Sequence, residues 1–480
     1  MTAVLLKRTT SRCPQCHAPC PATVEQQDGK VFMKRRCIAH GEFTACIASD
    51  ARFYWLAQGK DENRCCSGGA CCDATGQNAG TLGRNASGRG TNPIETLSTC
   101  LALIEIVNSC NLSCPTCYAD SPVGIGSKLD AVPVAEIQAR VDGVIARKGK
   151  IEILQLSGGE PTLHPQLAEI CRWAKQHEKI DFLLLNTNGV RLAKEPALCQ
   201  ELGEIFKTGG LQVYLQFDGL QEAGHKALRG ADLRDVKRQA LANLAAVNIP
   251  VTLAMTVTYD NLPHLWETIR FGLDDANIHG ITFQPEFLSG RTRSLAGARA
   301  WLQPARHLSG PASTPPPENG EWSATHSHSV SPRLNTADIL LAAVEQSQGG
   351  LRFEDFTPLP CGDPNCATIG YLIRRGEQVW HVSDFLDFTK LQGFLQDKIH
   401  YTLEDLAKCG CENEPLGELL KTLEKTRSMA FRLMVKPFMD AWSWDEDRID
   451  RCCTHVIRPD GKLDSFCRYY SGFPDTKAAL

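Results

Sequence analysis

The chain lacks any long hydrophobic run. No window approaches the roughly 18 apolar residues that a membrane-crossing helix needs, and the apolar stretch within Met1-Thr-Ala-Val-Leu-Leu-Lys-Arg is too short for a secretory signal. A cytoplasmic protein with no membrane span is therefore expected. It also lacks an excess of either charge: 51 Lys and Arg stand against 55 Asp and Glu, a net charge of -4. That balance argues against a basic face for nucleic acid or acidic lipid. With 42% apolar and 22% charged residues the chain reads as soluble and globular, and 480 residues are too many for one ordinary core.

What it has in abundance is cysteine, 22 in all. A reducing compartment disfavours disulfides, so clustered thiols point to metal. They fall into groups: Cys13/Cys16/Cys20/Cys37/Cys46, Cys65/Cys66/Cys71/Cys72/Cys100, Cys110/Cys114/Cys117, Cys361/Cys366, Cys409/Cys411 and Cys452/Cys453/Cys467. Cys171 and Cys199 stand alone and are expected to be buried helix residues.

From about residue 102 short apolar runs alternate with amphipathic stretches, the pattern of a parallel α/β array. The runs are Leu103-Val107, Ile151-Leu156, Phe182-Leu185, Val213-Phe217, Val251-Val257 and Ile281-Phe283, with helical stretches such as Pro165-Gln176 and Asp235-Ala246 between them. In such folds the chemistry collects at the carboxyl ends of the strands. Cys110, Ser157-Gly158-Gly159-Glu160-Pro161, Asn186-Thr187-Asn188-Gly189, Asp218-Gly219 and Gln284-Pro285-Glu286 all fall there. Six units predict a partial (β/α)6 barrel. Ala74-Leu97 is rich in Gly, Asn and Thr, and Ser309-Pro332 in Pro and Ser, so both read as loops or linkers; His326 and His328 in the second are read as solvated.

In Cys110-Asn-Leu-Ser-Cys114-Pro-Thr-Cys117, gaps of three and two residues let one loop wrap three corners of an iron-sulfur cubane, leaving one iron open. A structural zinc site prefers four closed ligands. Downstream, Gly158 and Gly159 allow the backbone to approach a ligand, and Glu160 offers a carboxylate to an ammonium group. With these motifs the chain resembles the radical S-adenosylmethionine (SAM) superfamily over roughly residues 100-290. The resemblance implies that the three cysteines bind a 4Fe-4S cluster and that Gly158, Gly159 and Glu160 contact the amino group of SAM. It further implies ribose or substrate contacts for Asn186, Asn188, Gln216 and Asp218, residues that otherwise cap a helix or satisfy a turn. Many members carry an aromatic residue before the third cysteine; Thr116 stands there, so Tyr118 or another residue must fill that space.

Outside the array, Cys13-Pro-Gln-Cys16 and Cys37-Ile-Ala-His40 read as a small structural knuckle for zinc or rubredoxin-like iron, with His40, Cys46 or Cys20 as fourth ligand. Cys361 and Cys366 with Cys467 and either Cys452 or Cys453 would close an auxiliary cluster, with zinc as the rival metal. This combination is similar, across nearly the whole chain, to the group that includes tetraether lipid synthase and the hydroxymethylpterin methyltransferases, the class D radical SAM methyltransferases. The group implies up to three 4Fe-4S clusters plus a mononuclear metal, the pre-barrel cluster here drawing on Cys66, Cys71 and Cys100. Its compact cysteine run is rearranged in Arg64-Cys65-Cys66-Ser-Gly-Gly-Ala-Cys71-Cys72.

The expected organisation is a knuckle over 1-60, a cysteine-rich segment over 61-100, the barrel over 101-305, a linker over 306-333 and an auxiliary-cluster domain over 334-480. The expected activity is reductive cleavage of SAM to a 5'-deoxyadenosyl radical that functionalises an unactivated carbon, by methylation or carbon-carbon coupling, on a lipid or pterin-like substrate. Flavodoxin or ferredoxin would supply the electron. The rival readings are a maturase of a peptide or cofactor and a non-enzymatic iron-sulfur electron carrier.

Overall fold

The computed structural model describes residues 3-54, 99-291, 330-331, 333-358, 363-375, 378-384 and 429-473. The expectations attached to Cys66, Cys71, Cys361, His326 and His328 lie outside the described residues.

The chain opens with an antiparallel meander of β1 (Val4–Arg12), β2 (Pro19–Gln27), β3 (Lys30–Cys37) and β4 (Gly41–Ala48). Because the strands pair in sequence, the β1-β2 and β3-β4 turns emerge at the same end, and these turns carry the knuckle's cysteines and His40. A small core of Val24, Val31 and Met33 lies beneath.

The barrel strands follow as β5 (Leu101–Val107), β6 (Ile151–Gly158), β7 (Ile180–Thr187), β8 (Leu211–Gln216), β9 (Val251–Val257) and β10 (Ile278–Pro285), each parallel to the next. The six predicted strands are all present, each matching or extending its apolar run except β8, which ends at Gln216 and leaves Phe217 outside. Helices α1 (Val134–Lys148), α2 (Leu167–Gln176), α3 (Val190–Lys194), α4 (Pro196–Ile205), α5 (Glu222–Arg229), α6 (Arg234–Ala245) and α7 (Leu265–Asp274) connect them. In α2 the buried positions are Leu167, Ile170, Cys171 and Ala174, a single helical stripe that absorbs the lone thiol of Cys171 into the core. Cys199 is buried in α4 in the same way.

The residues after the linker do not stand apart from the barrel. Within the expected linker itself, a two-residue strand, β11 (Val330–Ser331), runs parallel to β4. The helix α8 (Thr336–Ser347), begun by an Asn335-Asp338 capping box, packs on α7. Beyond it, β12 (Phe356–Pro358), β13 (Thr368–Arg375) and β14 (Gln378–His381) form an antiparallel edge. β15 (Met429–Val435) then adds to β10 in parallel, and after α9 (Glu446–Asp450) so does β16 (Thr454–Ile457) to β5. β17 (Leu463–Ser465) and α10 (Phe466–Ser471) close that side. Eight parallel strands thus surround the interior, two of them supplied by the C-terminal region. The alternation along β15 shows why: Phe431, Leu433 and Val435 are buried in the core, while Arg432, Met434 and Lys436 line the cavity. Among the described residues no helix is long and apolar enough to cross a membrane.

Candidate active site and metal centres

The parallel strands deliver their carboxyl ends to one mouth, above a cavity of about 1800 Å³ counting the space at its opening. The loop leaving β5 carries Cys110, Cys114 and Cys117 onto its wall, and the end of β6 brings Gly158, Gly159 and Glu160 beside them. That loop is pinned at both ends. The Cys110 N–H donates to Pro122 O (2.8 Å), and Cys117 exchanges backbone hydrogen bonds with Arg291 at 2.8 and 2.9 Å. No three ligand atoms in this cavity lie within 4.8 Å of one another among the described residues. Tetrahedral zinc would place its thiolates about 3.8 Å apart, a spacing that the three thiols together do not meet. Burial raises the thiol of Cys110 to about 12 and also raises that of Cys114, against which the Arg229 guanidinium works; bound metal is what would deprotonate them.

The glycine pair lines the cavity and also has a packing role within the chain. A Cβ on Gly158 would meet Val107 O at 2.1 Å, and one on Gly159 would meet Ser109 O at 2.1 Å. Both glycines are needed so that β6 can touch the backbone of the cysteine loop, with Gly159 N–H donating to Val107 O (2.6 Å) and Glu160 N–H to Ser109 O (3.1 Å).

Glu160 is 1% exposed. Its Oε1 accepts from Thr162 N (3.1 Å), Thr162 Oγ1 (2.6 Å) and Thr187 Oγ1 (2.6 Å), and its Oε2 from Asn188 N (2.7 Å). The carboxylate therefore ties β6 to β7, and only Oε2 has acceptor capacity to spare for an ammonium group. Asn188 in turn donates through Nδ2 to Asn111 Oδ1 (2.7 Å) and faces Cys110 Sγ at 3.8 Å. Behind it, Lys237 of α6 is fully buried and donates to Asn188 O at 2.5 Å. Burial lowers this ammonium to about 8, with Asp218 pulling the other way.

Asp218 departs from expectation. It has a left-handed backbone (φ 64°) and is 1% exposed, and it does not line the cavity. Its carboxylate accepts from Arg229 Nε (2.6 Å) and Nη2 (2.8 Å) and from Thr256 N (3.1 Å). Burial pushes this carboxyl up, but Arg229 outweighs it and the net shift is downward. The residue that reaches the cavity is Arg229, which sequence reasoning missed. Gln216, also on the wall, has one side-chain amide atom 3.1 and 3.2 Å from the same guanidinium, where only its oxygen could accept a hydrogen bond. Asn186 donates to Ser157 Oγ (3.2 Å) at the rim. Tyr118 lines the cavity, packed against Phe466 (5.4 Å), Tyr470 (4.7 Å) and Phe287 (6.3 Å).

Two further thiol groups lie outside this mouth. The ligand atoms of Cys13, Cys16, Cys37 and His40 all lie within 4.8 Å of one another, the spacing of a mononuclear tetrahedral site. His40 lowers the Cys37 thiol to about 6, while Cys20 is buried beside the group and Cys46 lies on the wall of a second cavity. At the C-terminal side Cys452 lies within the electrostatic reach of Cys366, Cys453 and Cys467, all on top of a strong burial effect. Arg448 Nη2 stands 3.8 Å from Cys366 Sγ, and Met439 N–H donates to Cys467 Sγ at 3.3 Å. Cys453 leads into β16 next to Cys100, which leads into β5; Leu101 N–H donates to Cys453 O at 3.3 Å.

Residues 104–272 match the family model of the radical SAM superfamily, and residues 5–49 match the HMPTM N-terminal zinc ribbon domain. The protein is a radical SAM enzyme, and the cofactors of that superfamily are a 4Fe-4S cluster and SAM; three thiols on one cavity wall suit a cluster with one open iron. More particularly, it is similar to the 7,8-dihydro-6-hydroxymethylpterin dimethyltransferase of Methanocaldococcus jannaschii, 25% identical over 96% of this chain and 93% of that protein. Two other relatives match about a third of this chain. The GTP 3',8-cyclase of Chlorobaculum tepidum is 27% identical over 35% of this chain and 49% of its own. The mycofactocin maturase MftC of Mycobacterium tuberculosis is 28% identical over 34% and 39%.

Proposed function

We propose that the protein is a cytoplasmic radical SAM methyltransferase acting on a pterin-like small molecule. The observation that carries this reading is the mixed lining of the cavity that holds the three thiols. Gln155, Gln212, Tyr214, Gln284 and Arg432 stand among apolar and aromatic residues that include Leu101, Leu103, Leu184, Phe438 and Phe466. A lipid chain would strip water from the polar groups without replacing their hydrogen bonds, at about 1–3 kcal/mol per group. A flat heterocycle with polar edges meets both kinds of residue. The near full-length likeness to a hydroxymethylpterin dimethyltransferase supports the same substrate class.

The cluster and SAM, when bound, supply a one-electron cleavage that yields a carbon-centred radical able to take hydrogen from an unactivated carbon. The chain's own residues bind, orient and shield. Cys110, Cys114 and Cys117 hold the cluster, with Arg229 offsetting thiolate charge beside Cys114. The spare lone pair of Glu160 Oε2 receives the SAM ammonium, and Asn188 fixes the loop through Asn111. The ribbon quartet holds one zinc or iron, and Cys366, Cys467 and Cys452 or Cys453 serve an auxiliary cluster, with Cys100 in a second. A flavodoxin or ferredoxin delivers the electron. The test is anaerobic incubation of reconstituted, reduced protein with SAM, 6-hydroxymethyl-7,8-dihydropterin and cell extract, read by mass spectrometry. A pterin carrying one or two added methyl groups, with 5'-deoxyadenosine, is expected; 5'-deoxyadenosine without any modified pterin would overturn the substrate assignment.

A further inference from the structure

Two amides on the cavity wall, one level above an apolar floor of Leu101, Ile153 and Phe182, have no hydrogen-bond partner among the described residues. Gln155 on β6 and Gln212 on β8 are 8% and 3% exposed, both on the cavity wall. Among the described residues neither side-chain amide has a hydrogen-bond partner. Neither belongs to the buried unpaired atoms of the structure, so both amides are open to the cavity; a ligand that displaces water from them without bonding them loses about 1–3 kcal/mol per group. Their placement is shared: Gln155 pairs with Leu184 and Leu184 with Gln212, so the three sit at one level of three consecutive strands. Strand spacing puts the two glutamine backbones about 10 Å apart, and both side chains turn into the barrel.

We infer that Gln155 and Gln212 read the polar edge of a planar heterocycle carrying a ring N–H beside a C=O, and hold its opposite edge toward Cys110, Cys114 and Cys117. The inference rests on the pterin-directed reading above and adds which end of the ring enters first. A primary amide presents one acceptor and two donors in a plane, the complement of a lactam edge, and the same geometry lets Gln recognise adenine bidentately. The pyrimidinone edge of a pterin offers that pattern, whereas an alkyl chain offers none of it. Height agrees as well. Gln155 lies three residues before Gly158, about 10 Å below the mouth at the strand rise, a depth suited to a fused two-ring system standing on end. Leu184 between the two amides gives the ring an apolar contact, and the hydrogen bond from Gln284 Nε2 to Tyr214 Oη (3.0 Å) bounds the chamber on its far side. In this orientation the pyrimidinone ring is sequestered, and the carbons of the second ring with its substituent are the ones presented for hydrogen abstraction.

The experiment titrates 6-hydroxymethyl-7,8-dihydropterin, by its fluorescence, into full-length reconstituted protein holding SAM, alongside the Gln155→Leu and Gln212→Leu variants. A site built to hydrogen-bond a polar edge rejects a mismatch strongly, so each variant should bind at least tenfold more weakly. Because leucine removes an amide that bonds no other described residue, both variants should keep the melting temperature without ligand. A purely structural role for the amides would lower it. A pterin methylated on the ring nitrogen of the lactam edge should bind wild type weakly and lose little further affinity in the variants. If wild type binds the pterin and both variants bind it within twofold, the edge assignment is overturned while the pterin reading stands. If wild type binds no pterin, the functional reading itself falls and this inference with it.

Discussion

The guanidinium of Arg229 joins Asp218, which is hidden from the cavity, to Cys114, which is on its wall: two short hydrogen bonds at 2.6 and 2.8 Å fix the cation from behind, and its charge favours the thiolate in front. The pair is nearly sealed, with side-chain exposures of 8% for Arg229 and 0% for Asp218. Burial disfavours the charge on each partner, and each partner's field restores it in the other. Breaking such a pair from one side leaves an uncompensated buried charge, at about 3–5 kcal/mol. Asp218→Asn should therefore lower stability by about 3 kcal/mol in urea unfolding and slow 5'-deoxyadenosine formation. A variant as stable as wild type would show that the pair does not lock this corner.

The three thiols of the mouth make a sharper demand. Cys114→Ala removes one of three ligands and should abolish 5'-deoxyadenosine formation while lowering bound iron by about four atoms. Metal at Cys13, Cys16, Cys37 and His40 should remain, since that quartet lies on a separate sheet. Fully reconstituted wild type should hold about eight to twelve irons, from two or three cubanes. A total near four, measured by iron and sulfide analysis, would mean that the cysteines outside the barrel bind zinc or nothing.

Much of this site was legible in the residues, and the limits were physical. The thiol spacing, the Gly-Gly-Glu run and the apolar runs are local patterns, so Cys110, Glu160 and the six strands could be placed from neighbours in the chain. Arg229 and Lys237 could not. Each belongs to a helix following β8 and reaches the site only because the barrel closes, and a cation on an amphipathic helix ordinarily faces water. Asp218 looked like a ligand residue because it ends a strand, yet its left-handed backbone turns it toward Arg229 instead. The two extra parallel strands were missed for a similar reason. Met429–Val435 and Thr454–Ile457 are short, and what makes them strands is pairing with β10 and β5, whose edges lie more than 100 residues away in the chain.

The ribbon and the C-terminal thiols share one segment of chain, which couples them. Lys7 and Thr9 hold Asp445 at 2.6 and 2.7 Å, and Arg35 donates to Trp442 O at 2.9 Å, with its guanidinium 5.7 Å from the Trp442 ring. The same stretch supplies Met439 to Cys467 and Arg448 to Cys366. Cys16→Ser should therefore loosen the segment and lower iron at the C-terminal thiols while the barrel cluster fills normally. Arg35→Ala, which leaves the ribbon's metal ligands intact, should do the same to a smaller degree. Unchanged total iron in both variants, measured beside zinc content, would show the two regions to be independent.

Lys237 yields a prediction whose sign depends on pH. Its native value of about 8 lies below the ordinary 10.5 because burial disfavours the ammonium. Below pH 8 the group is charged in both folded and unfolded chains, and the folded state bears the full cost, at most about 3 kcal/mol for a shift of this size. Between pH 8 and 10.5 the unfolded chain binds more protons than the folded one, so this residue's contribution to stability rises with pH through that window. Lys237→Met should accordingly unfold at higher urea than wild type at pH 7, with the advantage shrinking as pH rises from 8 toward 10.5. Activity should move the other way. Asn188 O loses its buried donor, the Asn188-Asn111 contact that steadies the cysteine loop relaxes, and a misplacement of that kind costs about tenfold or more in rate. A variant that is more stable and fully active would mean that Lys237 does not position Asn188; one that is less stable at pH 7 would mean that its hydrogen bond outweighs the cost of its burial.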